Sequence, residues 1–290
     1  IRDSSQAFSH YEAAFALDPQ HPAVTHNYIN TMIELGRYAQ ARSILTSRSR
    51  TDRAMLSMSA QLALQAGEWE EATAIADQMT EDVIGAHLLR WKLEVKRQDL
   101  ARAETHLGAA ARLAPQDERV YLAALEHRTL APGAMQFNGV LSYWQDQAEI
   151  PYKLALTTRA WEAIAQVDRG EYESATTELS SLLDEVEHAY PPFRLKLLSH
   201  LLIALSGAGD TAAYQHWCSE ALADISEYAE SGWASFAFQV ERGYLLAAAG
   251  DTEAAVESFR AAGLMGDIST LRLSGDPRIP DSVESLQDFI

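Results

Sequence analysis

The sequence predicts an all-α fold in which antiparallel helix pairs stack into a solenoid. Apolar residues recur at steps of three and four, which is typical of amphipathic helices. A turn pattern also returns along the chain at intervals that fit one helix pair. A pair this small cannot bury its own apolar face, and neighbouring pairs must therefore form a continuous superhelix. We expect about 15 helices in pairs, followed by a short C-terminal helix from Asp281 to Asp288.

The repeated pattern is a turn residue, an aromatic residue or Leu, an Ala three positions on, and a large apolar residue four positions later. Its clearest copy is Gly36, Tyr38, Ala41 and Leu45. The predicted turn residues are Gly36, Gly67, Gln98, Gly133, Gly170, Gly209 and Gly250. Successive turns lie 31 to 41 residues apart. Each interval is long enough for one helix pair, and we expect one pair in each.

The small and aromatic residues of the pattern have predicted packing roles. Paired helices approach to about 8–10 Å, and only a small side chain fits at the closest point. The alanines expected there are Ala41, Ala72, Ala103, Ala175 and Ala255. The aromatic residues Tyr38, Trp69 and Tyr172 should wedge between consecutive pairs.

The regularity of the pattern divides the chain into four segments. Residues 1–117 contain regular repeats, and residues 118–150 contain an irregular one. Residues 151–266 contain longer helical repeats, and residues 267–290 form a C-terminal tail with the short helix.

Two stretches of the first segment resemble the tetratricopeptide repeat. They contain Ala7, Tyr11, Ala14 and Asp18-Pro19, and then His26-Asn27-Tyr28, Gly36, Tyr38, Ala41 and Leu45. The resemblance is strong over residues 4–115 and looser as far as Ala262. It implies a right-handed superhelix that binds other proteins in its concave groove. The later, longer units are more similar to the extended helical repeats in sensor regions of bacterial regulators.

No catalytic motif is recognisable in the sequence. It lacks a Gly-x-Ser-x-Gly elbow, a phosphate-binding Gly-rich loop and a His-Glu-x-x-His pair. The nine histidines are scattered, and a single cysteine, Cys218, excludes both an internal disulfide and a four-cysteine metal site. We therefore expect no catalytic residue, no bound metal and no cofactor.

A binding surface is better supported by the pattern. The first helix of each pair should line the concave side, where equivalent positions stack in rows. The polar residues of these rows in the first half are His26, Asn30, Glu34, Gln61, Gln65, Lys92 and Lys96. Long hydrogen-bonding side chains can pair with the backbone of an extended peptide. The alternative is that they are ordinary solvated side chains of a polar groove.

The equivalent row of the second half is apolar. It contains Ile164, Ile203 and Tyr244. These residues could line a pocket for an amphipathic helix or a small apolar ligand. They could instead fill the superhelix core, and the length of the later helices favours that interpretation.

Charge and hydropathy limit the partners. The net charge of −18 argues against a nucleic-acid-binding surface. The most apolar run, Leu195 to Leu205, is too short to span a membrane. We expect a cytoplasmic location. Because the sequence begins at Ile1 without Met, we expect it to be a processed or excised part of a longer protein.

These observations favour a non-catalytic scaffold that binds a protein or peptide partner in the concave groove. The alternative is a ligand-sensing regulatory module of a larger bacterial signalling or transcription-regulator protein. The lengthened later repeats and the missing initiator Met support this alternative.

Overall fold

The computed structural model is entirely helical in the part of the chain that it describes. The described residues are 4–47, 53–80, 83–131, 137–145, 151–186 and 191–265. They form 15 α-helices and no β-strand. The predicted turn at Gly133, the predicted helix from Asp281 to Asp288 and the whole segment 267–290 lie outside the described residues.

The helices follow one another with short connections. In chain order they are α1 (Ser4–Leu17), α2 (Pro22–Glu34), α3 (Tyr38–Thr46), α4 (Arg53–Gln65), α5 (Trp69–Gln78), α6 (Ile84–Lys96), α7 (Leu100–Leu113), α8 (Glu118–Leu130), α9 (Asn138–Gln145), α10 (Tyr152–Asp168), α11 (Tyr172–Glu185), α12 (Pro191–Ala208), α13 (Thr211–Glu230), α14 (Phe236–Ala248) and α15 (Thr252–Met265). The even-numbered helices lengthen from 13 residues in α2, α4 and α6 to 17 in α10 and 18 in α12.

The contacts between helices show a solenoid of antiparallel pairs, as the sequence predicts. Each helix packs against the next in most of the chain, from α1 on α2 to α14 on α15. The even-numbered helices also contact one another in order, from α2 and α4 through to α12 and α14. In a curved stack of helix pairs, neighbouring helices on the concave side lie closer together than neighbouring helices on the convex side. The even-numbered helices are therefore the inner helices, and the odd-numbered ones are the outer helices.

The described turns between inner and outer helices have the backbone that the sequence pattern predicts. The glycines at positions 36, 67, 170, 209 and 250 have φ angles between 69° and 85°. Gln98 adopts the same left-handed conformation with φ 61°, although it has a side chain. In each turn an amide bonds back across the helix end; for example, Asp99 N–H donates to the Glu94 carbonyl at 3.0 Å. This pattern satisfies carbonyls that the end of the helix leaves open.

The predicted small residues of the repeated pattern are buried. Ala41, Ala72, Ala103 and Ala175 are fully buried, and Ala255 is 3% exposed. The predicted wedge is seen at Tyr172, at the start of α11. Its ring packs so closely on Gly207 of α12 that a Cβ there would lie 2.5 Å from a ring carbon. The ring therefore joins consecutive helix pairs.

The core of the second half is centred on α12. This helix contacts α10, α11, α13 and α14 and is buried along most of its length. Its Arg194 donates from Nε to the Asp224 carboxylate on α13 at 2.7 Å and from a terminal nitrogen to the Leu183 carbonyl at 2.9 Å. Among the described helices, none is both long and apolar enough to cross a membrane.

Candidate functional site

The inner surface of the first half has a row of polar residues in its middle. Asn30, Gln61 and Lys92 occupy equivalent positions on α2, α4 and α6, 31 residues apart in sequence. Gln61 and Lys92 are exposed, and Asn30 is half-buried. We call these three residues the polar ladder. They lie on successive inner helices, because α2 contacts α4 and α4 contacts α6.

The first residue of the polar ladder is held by a neighbour on its own helix. The Asn30 amide nitrogen lies 3.0 Å from Nε2 of the exposed His26, one turn earlier. One turn later, Glu34 is half-buried, and burial raises the pKa of its carboxyl group. The solvent exposure of the three predicted residues therefore decreases along α2.

The remaining predicted residues, Gln65 and Lys96, lie beside a cavity of about 220 Å³ that Lys92 also lines. We call it the central cavity. Residues of α4, α5, α6 and α8 line one side of it, and residues of α12 and α14 line the other. Its aromatic and charged lining residues include Trp69, Trp91, Lys92, Lys96, Glu126, Lys196, Phe236 and Glu241.

The start of α14 closes the superhelix on one side of this cavity. The Phe236 N–H donates to the Tyr38 hydroxyl at 3.0 Å, so residues 198 positions apart are hydrogen-bonded. The backbone approaches closely at the same place. A Cβ on Gly36 would lie 2.6 Å from the Ala234 carbonyl oxygen. The turn between α2 and α3 is thus in direct contact with the connection that leads into α14.

Lys96 has an unusual electrostatic environment. Its ammonium nitrogen lies 5.4 Å from the centre of the Phe236 ring and 5.8 Å from that of Trp69. Burial lowers its pKa to about 8, and the charges of Lys196 and Lys92 act in the same direction. Only Glu126 acts against this shift among the charges that affect the group. The ammonium group therefore lies near two aromatic rings, at distances over which cation–π attraction acts.

The predicted residues of the second half lie in packed surroundings. Ile164 and Tyr244 are 5% and 7% exposed, and Ile203 is half-buried against the core around α12. The Tyr244 ring packs edge-on against Phe259, with 5.3 Å between ring centres. A pocket at these three residues stays a prediction.

The nucleophilic and metal-binding side chains are dispersed. Cys218 is half-buried, and burial raises the pKa of its thiol, which keeps the less reactive protonated form. His127 is buried, burial lowers the pKa of its imidazole, and its Nδ1 accepts from Trp91 Nε1 at 3.4 Å. Within the described ranges, no three His, Cys, Asp or Glu side chains lie close enough together to hold a metal ion.

Sequence reasoning missed five aromatic or charged residues that line the central cavity, namely Trp91, Glu126, Lys196, Phe236 and Glu241. Phe236 and Lys196 lie more than 95 positions from Lys96 in sequence, beyond the reach of any local pattern. The sequence did contain one signal for this cavity. Lysine is scarce in the chain, and a comparison of the few lysine positions would have drawn attention to Lys196 beside Lys92 and Lys96.

Comparison with known proteins identifies the N-terminal part of the chain. Residues 2–54 match the family model described as tetratricopeptide repeat. This segment is similar to the tetratricopeptide repeat family. It contains α1, α2 and α3 together with His26, Asn30 and Glu34. The resemblance to this family that the sequence predicts is confirmed over residues 2–54.

Several solved structures are similar to most of the chain at low sequence identity. A tetratricopeptide repeat protein from Parabacteroides merdae is 18% identical, covering 94% of this chain and 93% of that chain, with a TM-score of 0.33. The P58(IPK) TPR domain is 14% identical, covering 99% and 93%, with a TM-score of 0.28. The structure of Naa15/Naa10 bound to HypK-THB is 12% identical, covering 99% and 60%, with a TM-score of 0.42. No curated protein matches the sequence.

Proposed function

We propose that the protein is a non-catalytic scaffold that binds an extended segment of a partner protein along the polar ladder. The observation that carries this proposal is the alignment of Asn30, Gln61 and Lys92 on three successive inner helices, with two of them exposed. The tetratricopeptide repeat at residues 2–54 supports the same function, because it supplies the first of these helices.

The spacing of the ladder suits an extended peptide. Packed helices lie about 8–10 Å apart, and an extended chain advances about 3.3–3.6 Å per residue. One step of the ladder therefore corresponds to about three peptide residues, and the three ladder residues span about seven.

The chemistry of the ladder favours contacts with the peptide backbone. The amides of Asn30 and Gln61 can each donate and accept, and the Lys92 ammonium donates to carbonyl oxygens. Backbone groups occur in every peptide, so such contacts give affinity with little demand on sequence. Through its contact with the Asn30 amide, His26 limits the rotation of the first ladder side chain.

The experiment is a selection from a displayed library of random nine-residue peptides, followed by affinity measurement with fluorescence polarisation. The test variant combines Asn30→Ala, Gln61→Ala and Lys92→Ala. Each lost hydrogen bond is worth about 0.5–1.5 kcal/mol, so the triple variant should bind the selected peptides at least about tenfold more weakly.

A matched control combines Gln40→Ala, Gln78→Ala and Arg102→Ala. These exposed side chains are also two amides and one cation, but they lie on the outer helices α3, α5 and α7. We expect peptide affinity within about twofold of the wild type in this control. Failure to select any peptide, or equal loss in both variants, would contradict the proposal.

A further inference from the structure

Lysine is scarce in this chain and is concentrated in one place. The sequence contains 4 lysines and 19 arginines. Three of the lysines, Lys92, Lys96 and Lys196, line the central cavity. The first two lie on α6 and the third on α12, so the fold brings them together from its two halves. We call them the cavity lysines.

Arginine supplies the cations of the ion pairs in the described part of the chain. Arg159 contacts two carboxylates of α11 at 2.6 and 2.7 Å, and Arg194 contacts one of α13 at 2.7 Å. The other ion pairs between described residues also use arginine. None of them involves a cavity lysine. The fold thus stabilises itself with arginine and places its lysines around a cavity.

The charges around the central cavity do not balance. Glu126 and Glu241 line it with the three cavity lysines, which leaves an excess of one positive charge. Glu241 also accepts a hydrogen bond from the Ser199 hydroxyl at 2.7 Å, so one of its carboxylate oxygens already has a hydrogen-bond partner. Partly desolvated ammonium groups that lack a paired carboxylate are stabilised by an incoming anion.

Aromatic rings provide the second part of a binding site. Trp69, Trp91 and Phe236 line the same cavity as the cavity lysines. Ring faces and edges of this kind pack favourably against another aromatic ring. A cavity with an apolar body and a few convergent polar groups is the usual form of a small-molecule site.

We infer that the central cavity binds a small aromatic carboxylate, whose carboxylate contacts the cavity lysines while its ring packs against the aromatic lining. The volume of about 220 Å³ corresponds to about seven water molecules, and it therefore suits a ligand of about ten non-hydrogen atoms. This inference goes beyond the proposed scaffold function. Its ligand is a small molecule, and its main determinants, Lys96 and Lys196, lie outside the polar ladder.

Isothermal titration calorimetry with phenylacetate tests the inference directly. Phenylacetate has a ring, a carboxylate and about ten non-hydrogen atoms, which matches the cavity. Phenylacetamide has the same shape without the charge, and acetate has the charge without the ring. We expect phenylacetate to bind at least about tenfold more tightly than either, because only it satisfies both parts of the site.

Two variants locate the site, and a third serves as the control. Lys96→Met and Lys196→Met keep an unbranched apolar side chain and remove one ammonium each. Each should weaken phenylacetate binding at least about tenfold. Arg169→Met makes the same change of net charge at an exposed residue paired with Glu171, and it should leave the affinity unchanged.

Circular dichroism shows whether each variant is folded. If one lysine variant does not fold, the other still tests the cavity. Absence of binding by the wild type at about 10 mM phenylacetate would overturn the inference. Equal affinity for phenylacetate and phenylacetamide would also overturn it, as would wild-type binding in both lysine variants. Lys92 belongs to both sites, but Lys96→Met and Lys196→Met leave all three ladder residues in place. Each of these variants should lose phenylacetate binding and keep peptide binding, so the two proposals fail separately.

Discussion

Lys96 should cost the protein stability at neutral pH, and its removal should therefore stabilise the fold. Its pKa falls from 10.5 to about 8 on folding, and each unit of such a shift corresponds to about 1.4 kcal/mol. The full shift would give about 3 kcal/mol, and solvent screening of this half-buried group reduces the figure to about 1–3 kcal/mol. We expect Lys96→Met to raise the free energy of unfolding by that amount at pH 7.

The pH dependence of this effect follows from the sign of the shift. Below pH 8 the group is charged in both the folded and the unfolded state, so the destabilisation is fully present. Between pH 8 and 10.5 the folded protein releases the proton while the unfolded chain still holds it. Stability therefore rises with pH in this window. The advantage of Lys96→Met should shrink to less than about 1 kcal/mol at pH 10.

Urea denaturation of the wild type and the variant at pH 7 and pH 10 measures both quantities. Lys92→Met is the matched control, because it makes the same substitution one turn away at an exposed position. It should change the free energy of unfolding by less than about 0.5 kcal/mol at either pH. The reasoning is refuted if Lys96→Met is no more stable than the wild type at pH 7, or if its advantage does not depend on pH.

Three further predictions concern single residues. Gln98→Gly should stabilise the fold by about 0.5–1 kcal/mol in urea denaturation, because φ 61° strains a residue that has a Cβ; a lower denaturation midpoint would contradict this. Gly36→Ala should cost about 2 kcal/mol more than Gly209→Ala, since both have positive φ but only Gly36 faces a carbonyl oxygen, that of Ala234; equal costs would show that the contact is absent in solution. Trinitrobenzenesulfonate at pH 8 should label Lys96 first in peptide mapping, because at that pH about half of its amine is neutral, against below 1% for an ordinary lysine; labelling of another lysine first would contradict the lowered pKa.

The turns and close helix contacts could be predicted because they depend on local chemistry. Gly36 and Gly170 mark left-handed turns that favour residues without a Cβ, and Ala41 and Ala103 mark buried positions of the repeat. Each of these constraints involves residues less than one helix pair apart. The sequence therefore contains the necessary information within a short window.

The central cavity could not be predicted in the same way. Its shape depends on how far each helix pair rotates relative to the last, and small rotations accumulate over several pairs. The sequence pattern placed Lys96 in an open groove, whereas the structure places it beside Phe236, which is 140 positions later. No periodic pattern relates these two residues, and only the completed superhelix shows that they meet.

The hydrogen bond between Tyr38 and Phe236 has a consequence for how the protein folds. A linear array of repeats has only nearest-neighbour contacts, so it can unravel from either end. A contact across 198 residues adds an interaction that forms only when all the intervening repeats are in place. Such a long-range contact raises the contact order, and the entropy lost when the intervening chain is closed slows folding.

The same contact couples the stability of the first repeat to that of α14. Fraying of the first repeat would release the start of α14, and fraying of α14 would expose the turn between α2 and α3. The repeats should therefore lose protection against amide hydrogen exchange together instead of from the ends inward. A superhelix closed in this way gains cooperativity that an open array of the same repeats does not have.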